Sequence, residues 1–582
     1  MKLVFINAII FTFALCFWLT YSYIYPRKKI PIYFILIACS LFPIVSIWRK
    51  GVFESGDFSL HAQLAMLFYE SLKEGVLVPK WATDFCGLYG YPHFFYFYKL
   101  PYYITSLFHE VGLSYIASMK LLFSSAYVIS GLSMYIFLRN HFSKTASFLG
   151  AILYLFTPYQ LTGLHFRHDL GELFGYILIP ILFLATDKLL KYSKLQYWLF
   201  VLITYSSLIF SHHIAPVLIT LPLIIYASIS LHFNPGNKKK RLFLFLSALL
   251  LSILLTAFHW APMVFESHLV YQHRMVDIEF VPTWWYLYSP WRYGLLFQGN
   301  KGQLGTLIGY SHLVIVLLSF RLLYVVGVAK KNRYFLKFFL TLTVLAFLLM
   351  QPFSEKLWHI IPLFDNFQFA SRLLAVTTFT IPFLSALVVT YHPRISRHIN
   401  KRIIYIFALM SVVYTILNWG NRGMIPEATD ASLRGQIRSL CGQLLMPAHN
   451  DIGSFLTKIS NRAGEVEVIR GDIEIKNIQR SSHSLLLEVL ALERGVIQIN
   501  TTYFLGWNAI DNGKSIKNFH EINKNNNFIR LNISEGHHRI KIQYTGTVIS
   551  RLATGVSILS IFPVGILALY LIHSRKRIKS SV

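Results

Sequence analysis

Between Ser55 and His61 the chain reads Ser-Gly-Asp-Phe-Ser-Leu-His, setting the carboxylate of Asp57 four positions before the imidazole of His61. A carboxylate takes a proton from a hydroxyl, and an imidazole orients it or binds a neighbouring headgroup. A denser cluster follows at Phe166-Arg167-His168-Asp169-Leu170-Gly171-Glu172. If Asp169 opens a helix, Asp169 and Glu172 share one face near the positive end of the helix dipole. Arg167 beside them either binds phosphate bidentately or neutralises the two acids, and helix capping with a local ion pair explains the motif as well. Adjacent His212 and His213 fill a short turn between apolar runs. They read as a satisfied turn or, with Asp57 and Asp169, as ligands of a divalent cation such as Mg or Mn, Asp57 and His213 being the named pair. Arg372 closes the segment Pro362 to Arg372 at the end of a further run, where it meets either a lipid phosphate or an anionic headgroup.

The elements that must carry these residues are membrane spans. The 582 residues are 55% hydrophobic and 16% aromatic, and apolar runs of about 20 residues recur along most of the chain, the signature of an α-helical polytopic membrane protein. The net charge of +28 comes from short basic clusters between runs, such as Arg27-Lys28-Lys29, Lys238 to Arg241 and Arg575-Lys576-Arg577. These read as cytoplasmic loops, not as a nucleic-acid surface. Spans are expected at about 3–24, 30–48, 117–138, 144–160, 172–187, 195–211, 214–232, 242–262, 306–328, 334–351, 373–391, 403–418 and 551–573, about 13 transmembrane helices. An odd count places the N-terminus outside and the basic tail inside, and it collects Asp57, Arg167, Asp169, Glu172, His212, His213 and Arg372 on the outer side.

Residues 93–111 do not fit as a crossing without inverting every later loop. Tyr89, Tyr91, Phe94 to Tyr98, Tyr102 and Tyr103 there read as an aromatic belt in the membrane interface, and His61 to Lys73 as a helix along the membrane surface. Trp284, Trp285 and Trp291 in the 263–305 loop read as interface anchors or as platforms for sugar rings. Beyond Trp419 the sequence turns polar and alternating, with strands expected at 465–469, 485–490, 496–500, 528–533 and 539–544. The expected domains are therefore a transmembrane domain over 1–419 with the candidate site's external loop at 49–116, an extracytoplasmic antiparallel β-domain over 420–549, a last span at 550–574 and a basic cytoplasmic tail at 575–582. Cys16 and Cys39 lie in spans, and Cys86 and Cys441 fall in external loops where a bridge is conceivable. No CxxC spacing points to a metal site.

These pieces in this order resemble the bacterial membrane family labelled 6-pyruvoyl-tetrahydropterin synthase-related and, more distantly, the YfhO-like proteins of the GT-C glycosyltransferase class. The resemblance is carried by Gly56-Asp57 with His61, by Pro79-Lys80-Trp81 and Gly87-Leu88-Tyr89-Gly90-Tyr91-Pro92, by Arg167 to Glu172 and by Phe367 to Arg372. In the C-terminal part Tyr503-Phe504-Leu505-Gly506-Trp507, Asp511-Asn512-Gly513 and Glu535-Gly536-His537-His538 carry it. It implies a GT-C-like fold in a bacterial cytoplasmic (inner) membrane and inverting transfer of a sugar from a polyprenyl-phosphate donor to a lipid or polymer acceptor. Asp57 would then act as general base or metal ligand, with Arg372 or Arg167 neutralising the leaving phosphate. Asp169 and Glu172 stand as further catalytic candidates, and His61, His212 and His213 as substrate contacts. A transporter or flippase of lipid-linked saccharide and a non-catalytic envelope-assembly protein are the competing readings. Ionisable groups at mid-depth and on both faces would favour the transporter.

Overall fold

The computed structural model describes residues 2–25, 30–55, 57–85, 89–270, 278–288, 306–360, 367–395, 400–420, 423–437, 464–517, 519 and 528–580. The first part is helical: α1 (Lys2–Ile24), α2 (Ile32–Val45), α3 (Phe58–Lys73), α4 (Leu100–Glu110), α5 (Tyr115–Arg139), α6 (Lys144–Leu155), α7 (Pro158–Thr162), α8 (Leu170–Tyr192), α9 (Leu195–Ser211), α10 (Ile214–Phe233), α11 (Lys238–Leu255) and α12 (Ala257–Phe265). There follow α13 (Thr283–Leu287), α14 (Tyr310–Leu323), α15 (Lys330–Leu349), α16 (Glu355–Ile360), α17 (Leu374–Thr390), α18 (His392–Ile395), α19 (Lys401–Val413) and α20 (Asp430–Gln436). The chain ends in α21 (Val548–Leu559) and α22 (Ile561–Ser580).

Among the described residues seven helical stretches are long and apolar enough to cross a bilayer, and α11 with α12, bent by 71° at their junction, raise the number to eight. Shorter apolar helices occupy Ile32–Trp48, Lys144–Leu155, Leu195–Ser211 and Tyr310–Leu323. Every apolar run read as a span is helical, the 403–418 run as α19, and the chain is a multi-pass membrane protein. Phe13 and Phe17 of α1 are 73% and 75% exposed, which is a lipid-facing surface in such a protein. α4, by contrast, has 11 residues, about half the length that a crossing needs.

Two expectations for the region after the second span change. α3 is the helix expected after His61, but its apolar face is covered by protein and not by lipid headgroups: His61 to Phe68 are all buried, enclosed by α4, α5 and α20. The aromatic run is not an interfacial belt either. Tyr89, Tyr91, Phe94, Phe95, Tyr96, Tyr98 and Tyr102 are each 6% exposed or less. They pack inward and against the C-terminal domain, with Phe95 on Phe504 at 5.9 Å, Tyr89 on Phe528 at 4.7 Å and, just upstream, Trp81 on Trp507 at 5.1 Å. Composition alone cannot distinguish a ring that anchors in headgroups from one that cements two domains, because both uses want a large apolar body with a polar edge.

Strands β1 (Val52–Phe53) and β2 (Met424–Ile425) pair with each other beside the site. The C-terminal domain holds β3 (Val466–Arg470), β4 (Ile473–Arg480), β5 (Ser484–Ala491), β6 (Gly495–Thr502), β7 (Trp507–Asp511), β8 (Lys514–Ser515), β9 (Phe528–Ile533) and β10 (Gly536–Tyr544). They form an antiparallel five-stranded sheet, β4-β5-β10-β7-β8, and an antiparallel three-stranded sheet, β3-β6-β9. All five strands read from alternation are present. β4, β7 and β8 are not among them; in β4 the alternation of Ile473-Glu474-Ile475-Lys476 is broken by a register shift between Ile475 and Asn477. Cys86 and Cys441 lie outside the described residues, as do Trp291 and the 362–366 part of the Arg372 segment.

Candidate functional site

The structure gathers most of the predicted residues around the start of α8. Residues Gly163–Arg167 form one π-helical turn, ended by His168 in the left-handed conformation at φ 56°. Such turns within helices recur at functional positions because they redirect side chains. Asp169 then caps α8, its Oδ1 accepting the Glu172 N–H at 3.1 Å. Its Oδ2 accepts from Arg167 at 3.0 Å, while the other Arg167 nitrogen donates to Glu172 Oε2 at 3.2 Å and to the Tyr159 hydroxyl at 2.7 Å. Tyr159 donates in turn to Glu172 Oε1 at 3.0 Å. Burial alone would raise the Asp169 carboxyl, but the guanidinium of Arg167, with His212 and Arg372, holds it well below the usual carboxylate range. The capping reading and the ion-pair reading of this motif are therefore both realised. Asp169 and Glu172 serve as a cradle for Arg167, with all four carboxylate oxygens engaged.

Asp57 differs. It occupies the N-cap of α3, yet its side chain makes no capping bond; the Ser55 hydroxyl accepts the Phe58 N–H at 3.2 Å instead. The Asp57 carboxylate has no hydrogen bond or ion pair among the described residues. Burial, followed by the negative charge of Asp169, pushes it up to about 6, against the opposing pull of Arg167 and Arg372. Those three groups are thus its electrostatic neighbours, two from the Arg167–Glu172 motif and one from the turn before α17.

Arg372 is the matching cation. It sits on a short 3-10 turn before α17, where Gln368 adopts φ 62° and the backbone of 368–370 is bonded to Glu279 (Glu279 N–H to Gln368 O, 2.8 Å; Ala370 N–H to Glu279 O, 3.1 Å). Its guanidinium contacts the Gln368 side-chain oxygen at 3.4 Å and lies 5.7 Å from the centre of the Phe369 ring. Its Nε is buried without a partner, and it forms no salt bridge among the described residues.

The histidines divide. His61 is 3% exposed and locked, Nδ1 lying 2.8 Å from the Tyr102 hydroxyl and Nε2 3.3 Å from that of Tyr98. Burial holds it down to about 4, so it is a neutral wall of the site with neither nitrogen free for substrate. His212 Nδ1 accepts the Ala215 N–H at 3.1 Å, which puts its proton on Nε2. Gly171 fits beneath it: a Cβ there would stand 2.5 Å from the imidazole, so the glycine lets α8 approach the His212 turn. His213 stacks on His212 at 5.2 Å, and its buried Nδ1 has no partner. Burial pushes His212 down to about 3 and His213 to about 4.

Among the described residues no group of three His, Cys, Asp or Glu side chains stands ready to hold a metal ion. Asp169, which would have to join Asp57 and His213 in the expected cation site, has both oxygens committed, one of them to a guanidinium. This donor set does not fit a divalent cation.

Sequence reading missed Tyr98, Tyr102 and Tyr159, which position His61 and Arg167, and Lys99, whose buried ammonium nitrogen lies 3.2 Å from His259 Nδ1. The tyrosines carried no separate signal inside an aromatic-rich stretch. Asp84 stands apart from the site, bound to Arg434 at 2.7 Å.

No family model matches the chain. A protein of Lactococcus lactis subsp. cremoris, itself uncharacterised, is 21% identical over 223 residues, 38% of this chain and 36% of its own length. The chain thus spans little more than a third of that relative. Among solved structures it is similar to the arabinofuranosyltransferase AftD from Mycobacteria, with 13% identity, 70% of this chain and 27% of that one covered, and a TM-score of 0.39. It is similar also to the apo oligosaccharyltransferase of Archaeoglobus fulgidus, at 12% identity, 72% and 60% covered and a TM-score of 0.42. A third is ArnT from Cupriavidus metallidurans bound to undecaprenyl phosphate, at 12% identity, 77% and 96% covered and a TM-score of 0.31. Likeness at this level decides nothing about the reaction, and none of these proteins links the chain to 6-pyruvoyl-tetrahydropterin synthase.

Proposed function

We propose that the protein is an integral-membrane glycosyltransferase that moves a sugar from a polyprenyl-phosphate donor to a hydroxyl of an envelope lipid or polymer. The observation that carries this reading is the uncommitted pair, the Asp57 carboxylate and the Arg372 guanidinium, beside an Arg167 cluster whose own charges are already satisfied. Both residues are half-buried, and a charge partly withdrawn from water without a partner carries a cost that a ligand bringing the opposite group relieves. Arg372 suits the phosphate that leaves with the lipid; Asp57, held near neutrality, suits removal of the proton from the acceptor hydroxyl. The acceptor oxygen then bonds to the sugar's anomeric carbon as the carbon–phosphate oxygen bond breaks, the proton remaining on Asp57 and the negative charge on the lipid phosphate. The Arg167–Asp169–Glu172 cradle supplies a fixed dipolar wall, not a second base. The basic clusters support placing this end of the bundle, with the β-domain, outside the cytoplasmic membrane of a bacterium.

The test is transfer from a radiolabelled polyprenyl-phosphate sugar into endogenous acceptors by membranes containing the full chain. Loss of transfer in Asp57→Asn and Arg372→Ala, with both variants inserted normally, is the expected result. Undiminished transfer by either variant removes that residue from the mechanism. A labelled lipid that changes leaflet without losing its sugar would replace the transferase reading with transport.

A further inference from the structure

The connection between β4 and β5 grips the stretch of chain that leaves α3. The carboxylate of Glu74, at the C-cap of α3, accepts the Ser482 backbone N–H at 2.7 Å and the Ser482 hydroxyl as well. Thr83 donates its hydroxyl to the Ser482 carbonyl at 2.6 Å, and Arg480 donates to the Thr83 carbonyl at 3.2 Å. At the centre, Nε2 of His483 accepts the backbone N–H groups of both Lys80 and Trp81, at 2.9 and 3.2 Å. Its Nδ1 stands 3.0 Å from the Ser482 hydroxyl. A ring nitrogen that accepts two N–H groups carries no proton, so the geometry demands a neutral imidazole protonated on Nδ1.

We infer that this hairpin tip is an acid-releasable clasp on the tail of α3, with His483 as its positioning residue, and that closing it fixes the Asp57 carboxylate at the head of the same helix. The significance of Asp57 rests on the function proposed above; the clasp itself does not. α3 has 16 residues and is a rod of about 24 Å, so displacement at one end is transmitted to the other. Its other polar supports are spread along it: Arg434 reaches Glu70 near the tail at 3.0 Å, Gln63 in the first half donates to the Leu433 carbonyl at 3.0 Å, and His61 near the head meets the Tyr102 hydroxyl at 2.8 Å.

The charges around His483 come from each element packed on it. Lys80 is on the gripped segment and donates to Ser550 at 2.9 Å; Glu74 ends α3; Arg480 pairs with Glu465 at 3.4 Å; Asp84 is held by Arg434. Glu266 and Arg551 act on Lys80. Protonation of Nε2 deletes the acceptor for two N–H groups and sets a second cation beside Lys80. Burial and then Lys80 hold the imidazole down from its ordinary 6.5 to about 4. Because the closed form binds its proton less readily than the open one, the clasp is fully favoured above about pH 6.5 and is progressively lost as pH falls toward 4.

Hydrogen exchange on the full chain in lipid nanodiscs tests this without any substrate, following the amides of residues 80–81 and the first turn of α3. In the wild type the opening of 80–81, corrected for intrinsic exchange, should be at least about tenfold greater near pH 5 than near pH 7.5. His483→Gln, whose side-chain oxygen accepts N–H groups and does not titrate there, should stay protected at both. His483→Leu should lose protection at both, and the first turn of α3 should loosen with it. Acid sensitivity retained in the glutamine variant overturns the role of His483, and a loosened 80–81 with an unchanged α3 head overturns the coupling. If the leucine variant does not fold, Ser482→Ala takes its place: partial loosening of both segments supports the clasp, and no change in either overturns it. A transferase assay that fails while these exchange results hold would fault the function alone.

Discussion

The two ends of α8 carry the same kinds of residue and use them in opposite ways. At its C-terminal end Asp187, 6% exposed, accepts from Asn140 at 3.1 Å, from His141 and Tyr226 at 2.6 Å each, and from Ser230 at 3.0 Å. Both oxygens are engaged by groups from the end of α5 and from α10, and the network closes on itself. At the N-terminal end Asp169 and Glu172 are as fully engaged by Arg167 and Tyr159, but Asp57 and Arg372 are left over beside them. A closed network ties helices together; a remainder of opposite charges calls for a ligand.

Substitutions should separate the two ends. The largest effect is expected from Asp57→Asn, which should lower transfer by roughly a thousandfold in the labelled-donor assay while leaving the amount of folded protein unchanged. A stability loss in place of the activity loss would make Asp57 a structural group like Asp187. Next, Asp187→Ala should lower unfolding stability by about 3 kcal/mol, since four donors lose their acceptor at once. Thermal unfolding in detergent should show this, and transfer below the melting temperature should be nearly normal. Arg372→Ala should raise the KM for the donor about tenfold or more, and Arg372→Lys should recover part of it, because the point charge returns without the planar fork.

The smallest effects concern pH, and they run in two directions. As a base Asp57 must be ionised, so kcat/KM should rise with pH through about 6 and then level off. In stability the sign reverses: its folded pKa lies above the ordinary 3.8, so its contribution is greatest at low pH and declines as pH rises through about 6. Asp57→Asn should therefore raise the melting temperature slightly near pH 8 and not near pH 4. A melting temperature that falls at both would show that the carboxylate is bonded within the fold.

Much of this was legible in the chain. Apolar length located the helices, and strict alternation located five strands, because burial on one face imposes a period that composition preserves. Asp169 as a helix cap followed from an acid placed just before an apolar run. What failed were inferences about where a face points. Tyr96 looked like an interface anchor because Phe504, the ring that packs on it at 6.3 Å, lies some 400 positions away, and Tyr98 because its cover includes His212 over 100 positions away; no local pattern reports a distant cover. His61, His212 and His213 were all offered as substrate contacts, and only the hydrogen-bond partners show that His61 has both nitrogens occupied.

By itself the sequence determined that this is a membrane protein with a polar C-terminal domain, and that acids, arginines and histidines cluster at the ends of particular apolar runs. Those are consequences of transfer free energy, which each residue carries with it. Only the tertiary structure decided which charges are spent on one another. Asp169 and Glu172 are bound to Arg167, Asp187 is closed within its node, and Asp57 and Arg372 remain. Pairing depends on distance in space, and the groups that meet at the head of α8 come from stretches hundreds of residues apart.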